Sequence, residues 1–491
     1  MTVNPKKLRP YDEPPKRRRK LIPDGPDNAA TGFFIAAALW LAMATGLGAL
    51  AIGLQLITFE FSFPLLFGFS FEFDQRRVEY AFVNATVYGW LTNAGFAAVA
   101  FMTPRLLGRR MAMEAGLVGA LVIWNMSLAG GIAALYVFDL GPNAPLSALP
   151  WLIDGGLAFG ALIVTGAFLV TAAASLRTSY VGLWFAAVAL LSIAGLTGVN
   201  ALVGLIEIFI DLPELAVALA SAFVERAISV MWLLGIAYAT LHYVVPRASG
   251  QPLASAGLGW LSFLTWLMLA PLAGLATLVD ASVPFAITSL GNVAGMLLLV
   301  PAALTVVNLV QTIRGRWTLL FGPGSVAFAA VSLAFLLAVS LLDAIGSLRT
   351  VQDFVGRTDW ERGAFLWATY GTFTFAAFAL ADHALPRMLR RAWGGGFLPA
   401  AQLWLAFGGV TLAGLALMGG GMAEGSLLAQ GTAPDAVDGV LLVYRAVAFV
   451  GFGMVALAGV AFAMNLFLMY ASGAPAEYSV SGASAAAAAG H

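Results

Sequence analysis

Cysteine is absent from the 491 residues, histidine occurs three times (His242, His383 and His491), and charged side chains make up only 10% of the chain. Without a thiol there is no disulfide framework, iron–sulfur cluster, thiolate metal site or cysteine nucleophile. The 25 basic and 25 acidic groups balance, which removes the basic footprint that binding DNA or RNA requires. No phosphate-cradling glycine loop, zinc-binding histidine pair or serine-hydrolase elbow is found either. What the chain does have is apolar: 60% hydrophobic residues and a mean hydropathy of +0.89. A soluble chain carries about 25% charged and 45–50% apolar residues, so the surface of this one has to face lipid.

At about 20 apolar residues per crossing, twelve membrane helices are expected. They fall at 31–57, 80–102, 114–138, 150–173, 180–206, 216–243, 255–279, 284–312, 323–346, 363–386, 399–422 and 439–471. The division is a polar, basic tail over 1–30, a membrane domain over 31–471 and a flexible Ala/Ser/Gly-rich tail over 472–491. The basic run from Lys16 to Lys20 is followed by a full-length span and no cleavage site, so it is not a signal peptide. Lys and Arg concentrate in the N-terminal tail and in alternate loops (Arg105, Arg109, Arg110, Arg177, Arg247, Arg314, Arg316, Arg387, Arg390, Arg391). The opposite loops hold Arg76, Arg77, Arg349, Arg357 and Arg362 among acids such as Glu60, Glu72, Asp74, Asp211, Glu214, Asp359, Glu424, Asp435 and Asp438. The positive-inside rule then puts both termini in the cytoplasm and the acidic loops outside, where they suit a basic soluble partner.

Several stretches, in order, resemble the catalytic subunit I of the cbb3-type cytochrome oxidases, one branch of the haem-copper superfamily. Tyr180-Val181-Gly182-Leu183-Trp184-Phe185, preceded by Arg177-Thr178-Ser179, is similar to the family's Tyr-Val-Gly-Asn-Trp-Phe entry to helix 5. The run from His242 to Leu253, with Pro246-Arg247 inside it, resembles the segment leaving helix 6. Ser289-Leu290-Gly291 followed by Pro301, Asn308 and Gly315, then Val331 to Phe335 and Thr358-Asp359-Trp360, keep the family's order. His383-Ala384-Leu385-Pro386-Arg387 matches its His-Leu-Val-Pro-Lys after helix 10. The resemblance implies an all-α, polytopic, twelve-helix bundle in a bacterial inner membrane.

It also implies six histidines holding two haems b and a copper, because a low-spin haem takes two imidazoles, a high-spin haem one and the copper three. None is present. The low-spin ligand positions read Phe82 and Leu366, the high-spin position Ala364, and the copper positions Arg226, Leu272 and Ala273. The redox-active tyrosine is replaced by Trp266. No haem or copper is therefore expected, and Phe82, Phe365, Trp266, Leu366 and Trp367 are expected to fill the vacated space. Met231, Met268 and Met296 are read as apolar filling rather than substitute ligands.

The membrane segments retain a few charges: Asp154, Glu207, Glu225, Arg226, Asp343, Asp382 and Arg445. Such groups are costly and need partners. Arg226, at a copper-ligand position, is expected to pair with Asp343 or else to snorkel to the outer face; Glu225 points about 100° away around the helix. Arg445 resembles an arginine that would meet haem propionates in the family. Three readings follow. The first is a non-catalytic, haem- and copper-free subunit I-like scaffold in a respiratory electron-transfer complex, anchoring cytochrome c-type subunits and without oxidase activity by itself. The second is a proton- or ion-translocating subunit or transporter, and the third a haem enzyme with unconventional ligands.

Overall fold

The computed structural model describes residues 27–57, 59–64, 70–140, 144–173, 175, 180–278, 284–356, 358–394 and 396–473. The expectations for the two tails, Arg177, Arg357 and His491 lie outside these residues. Among the described residues, eleven helices are long and apolar enough to cross a membrane. They are α1 (Asn28–Gly53), α3 (Glu114–Ala134), α4 (Trp151–Ala172), α5 (Val181–Glu207), α6 (Glu214–Ser249), α7 (Ala256–Ala276), α8 (Phe285–Ile313), α9 (Ser325–Gly346), α10 (Asp359–Leu389), α11 (Leu398–Ala429) and α12 (Pro434–Ala471). The stretch expected as a further span, α2 (75–107), is helical throughout but does not belong to that set. Its physical reason is burial: nearly every side chain from Ala81 to Pro104 is enclosed, including Asn84, Thr86, Thr92, Asn93 and Thr103. A helix inside the bundle touches protein rather than lipid, and polar groups there find protein partners.

The expectation of a wholly α-helical chain is also incomplete. A short antiparallel hairpin, β1 (Phe61–Pro64) and β2 (Ser70–Phe73), pairs Phe61 with Phe73. Phe71 stacks on Tyr136 at 5.4 Å, and the Glu72 amide donates to Tyr136 O (2.8 Å). Burial pushes the Tyr136 hydroxyl up to about 12, with the Asp74 charge adding to the effect.

Three helices share a design. Each of α2, α6 and α10 widens in its middle to a π-helical segment, over Ala85–Leu91, Ile228–Leu233 and Trp367–Phe373. Each also ends on a Pro-Arg pair (Pro104-Arg105, Pro246-Arg247, Pro386-Arg387) followed by a left-handed residue, Gly108, Gly250 or Arg390, that stops the helix. The pairs recur about 140 residues apart, an internal repeat. A π segment leaves carbonyls without their usual amide partners, and no water is at hand in an apolar core to satisfy them. Side chains do so here. Thr92 Oγ1 donates to Val87 O (2.8 Å), Trp124 Nε1 to Tyr88 O (2.8 Å), Trp266 Nε1 to Val230 O (2.8 Å) and Ser332 Oγ to Thr372 O (2.7 Å).

Candidate functional site

The positions where the resemblance calls for metal ligands lie on the three π-kinked helices and on α7. Phe82 lies on α2 just before its π segment and Leu366 on α10 just before its own; both are buried. Phe82 sits in a knot of rings: edge-on to Phe365 (centroids 6.0 Å apart) and Phe452 (5.6 Å), and parallel to Tyr370 (6.2 Å). Tyr370 and Phe452 meet edge-on at 5.2 Å, and Tyr370 Oη shares a hydrogen bond with Thr86 Oγ1 (2.8 Å). Gly48 of α1 makes room for the knot, because a Cβ there would fall 2.6 Å from Phe82 Cε2. Tyr370 and Phe452, both fully buried, escaped the sequence reading. Tyr370 stands four residues after Leu366 and so on the same helix face, a signal that was available; α12 is apolar on all sides and singles out no position for Phe452.

Ala364 is half-buried one turn before the α10 π segment, beside Phe365. At the copper positions, Leu272 and Ala273 close α7 as apolar wall, half-buried and buried. Trp266 is fully buried, and its indole is fixed by the bond to Val230 O, one turn beyond Arg226 on α6. Trp266→Phe leaves that carbonyl without its donor and is expected to cost about 1–2 kcal/mol, measured by denaturant unfolding of the detergent-purified protein.

The Arg226 guanidinium reaches across to α9 and pairs with the Asp343 carboxylate. The two side chains are 25% and 31% exposed. The neighbouring Glu225 is half-buried. The other candidate charges do not join this pair. Asp382 accepts from Ser325 Oγ (2.6 Å) at the start of α9; Asp343 is eighteen residues further along that helix, about 27 Å away. Arg445 donates to Asp359 (2.8 Å) and Asp438 (3.1 Å). Arg362 bridges Asp359 (2.7 Å) and Glu79 (3.1 Å). This second cluster, which ties α2, α10 and α12 together at one end of the bundle, was only partly visible in sequence because Glu79 and Arg362 are 283 positions apart.

Neither described histidine stands at one of the six ligand positions. His242 is enclosed, stacked on Phe185 (5.5 Å), with Nδ1 against Tyr238 O (2.8 Å). His383 packs edge-on between Tyr243 and Phe101, at 6.0 and 6.4 Å.

In this bundle α2, α6 and α10 meet around Leu91, Leu233 and Phe373, and the comparisons give the class of membrane protein to which it belongs. Residues 28–454 match the family model described as Cytochrome C and Quinol oxidase polypeptide I, and the chain belongs to that family. It is 24% identical over 360 residues to the Cbb3-type cytochrome c oxidase subunit CcoN1 of Stutzerimonas stutzeri, covering 70% of this chain and 73% of the relative. It is likewise 24% identical over 387 residues to cytochrome c oxidase subunit 1 of Rhodobacter capsulatus, with 75% and 71% covered. A solved haem-copper terminal oxidase dimer has a chain that superposes with a TM-score of 0.74 at 15% identity, over 92% of this chain and 84% of that one. The protein is thus a multi-pass, haem-copper oxidase subunit I-like membrane protein.

The family implies haems and copper, and the side chains at the positions that the resemblance gives to their ligands do not fit them. A phenylalanine, two leucines and two alanines offer no donor atom, and the guanidinium of Arg226 is a cation with hydrogen-bond donors only.

Proposed function

We propose that the chain is a haem- and copper-free member of its family, retained in the bacterial inner membrane as a scaffold for a respiratory electron-transfer complex and anchoring c-type cytochrome subunits. Both termini are assigned to the cytoplasm and α2 to a twelfth crossing. The observation that supports the reading is that the side chains at the six positions the resemblance gives to ligands are otherwise employed: Phe82 in the ring knot, Arg226 in an ion pair, Leu366, Ala364, Leu272 and Ala273 in apolar packing. Arg445, the arginine that resembles a propionate partner, is served by carboxylates of the chain itself, Asp359 and Asp438. The relatives are named as subunits of cytochrome c oxidases, which supports a place within an assembly.

Ion translocation receives less support. Its stepping stones fall into separated groups, Arg226 with Asp343 and Asp382 with Ser325, and between them α9 carries only the hydroxyls of Ser332, which donates to Thr372 O, and Ser340 among apolar side chains.

The test is a reduced-minus-oxidised spectrum with pyridine-haemochrome quantification, on the complex captured from native membranes and on the chain alone. Haem c in the complex and no haem b on the isolated chain is the expected result. One or two equivalents of haem b on the isolated chain overturn the ligand assignment and restore an oxidase-like enzyme. A native complex without haem c overturns the cytochrome partner and favours translocation.

A further inference from the structure

Asp154 is an ionisable group of the bundle that belongs to none of these clusters. Asp154, in the first turn of α4, is 1% exposed, and its Oδ1 has no hydrogen-bond partner. It lines a cleft of about 270 Å³ between the start of α4, the end of α5 and the start of α6, beneath the short turn Pro145–Ser147. That is several times the ~30 Å³ a water occupies in the liquid. Charged groups at such positions are expensive and are kept where something meets them.

The polar side chains of Ser147, Asn200 and Ser221 in the cleft are engaged with one another or with the backbone. Asn200 Nδ2 donates to Leu146 O (3.0 Å) while its Oδ1 accepts from Ser147 Oγ (3.0 Å). Ser221 Oγ donates to Ala218 O (2.9 Å) and accepts from the Ala144 amide (3.2 Å). The walls between are apolar, with Val199, Val203, Val217 and Val224. Two exposed carboxylates, Asp139 and Glu207, also line the cleft, and among the described residues no lysine or arginine does.

This donor set selects among cations. A bare metal ion requires several oxygens around it; calcium takes six to eight. Here a single buried carboxylate oxygen is free. A small alkylammonium needs one carboxylate for its charged head and an apolar wall for its body, and the rim acids raise its local concentration. We propose that this cleft binds a small organic ammonium, with Asp154 as its counter-charge. The ammonium comes from a free amine or from an aminoalkyl lipid headgroup, two sources with the same chemistry. The site is separate from the metal-ligand positions, so it stands whether or not the scaffold reading does.

The test is thermal unfolding of the full detergent-purified chain in a titration of butylammonium chloride, against sodium chloride at equal ionic strength. A saturable rise of about 5 °C in Tm with the amine is expected, lost in Asp154→Asn and in Val203→Phe, which fills the cleft without touching the charge. If Asp154→Asn does not fold, Val203→Phe alone decides. Nanodiscs of phosphatidylethanolamine compared with phosphatidylcholine separate the sources: a Tm difference that disappears in Val203→Phe assigns the headgroup, and a response to the soluble amine alone assigns the free ligand. No saturable shift from either source, an equal shift with sodium, or a shift that persists in Val203→Phe overturns the proposal.

Discussion

Phe82→Ala is expected to destabilise the folded protein by about 2–3 kcal/mol, whereas Leu39→Ala, on the lipid-facing side of α1 at 69% exposure, is expected to change stability by less than about 0.5 kcal/mol. The contrast follows from what drives packing in a membrane. Lipid tails are as apolar as a phenylalanine ring, so transfer contributes little and the cavity term decides. At about 24 cal/mol per Å³, a void of roughly 100 Å³ accounts for most of the figure, because Tyr370 is held by Thr86 and Phe365 and Phe452 are braced from other helices. Denaturant unfolding in detergent, followed by tryptophan fluorescence, measures both variants. A cost for Phe82→Ala no larger than that of Leu39→Ala would mean that the ring fills nothing and that packing does not keep a haem from this position.

How much of this arrangement could be read in the sequence depends on the kind of signal each residue leaves. Where the resemblance calls for a histidine, flanking motifs supply the register, as Gly363 does for Ala364 and Pro271 does for Leu272 and Ala273. The partner of a replacement is visible only where chemistry demands one. A lone arginine within an apolar helix calls for a carboxylate, and the chain has few to offer; an apolar ring calls for no particular neighbour, so Phe452 left no mark. The π segments were hidden for a different reason: they are a response of the backbone to packing, stabilised by Thr92, Trp124, Trp266 and Ser332 from outside the turns they complete. The Pro-Arg repeat at the ends of α2, α6 and α10 was present in the sequence all along, and searching for repeats first would have paired these helices before any ligand was considered. Helix α2 was expected on apolarity, yet it is held by burial, which is why a polar-spotted segment takes an interior place.

The Arg226 and Asp343 pair gives the second large effect. Arg226→Leu removes a cation and leaves Asp343 without its partner on α9; Asp343→Leu leaves the guanidinium alone on α6. A charge left unpaired at membrane depth costs about 2.5–3.5 kcal/mol on insertion scales, and the partial exposure of both side chains, 25% and 31%, lets water or headgroups offset part of it. Each single variant is therefore expected to lose about 2 kcal/mol. The double variant, with neither charge present, is expected to lose less than either single one, since two leucines in an apolar setting satisfy each other. The double-mutant cycle should thus return a coupling energy of about 2 kcal/mol or more. Additive losses would show instead that each charge is solvated independently, Arg226 by snorkelling outward, and the pair would no longer explain what occupies a copper-ligand position. A strong coupling has a further consequence for the family's chemistry. Reinstating histidine at 226 alone would not rebuild a metal site, because it would strand the carboxylate on α9 while Leu272 and Ala273 still offered no donor; the ion pair and the apolar replacements would have to be reversed together.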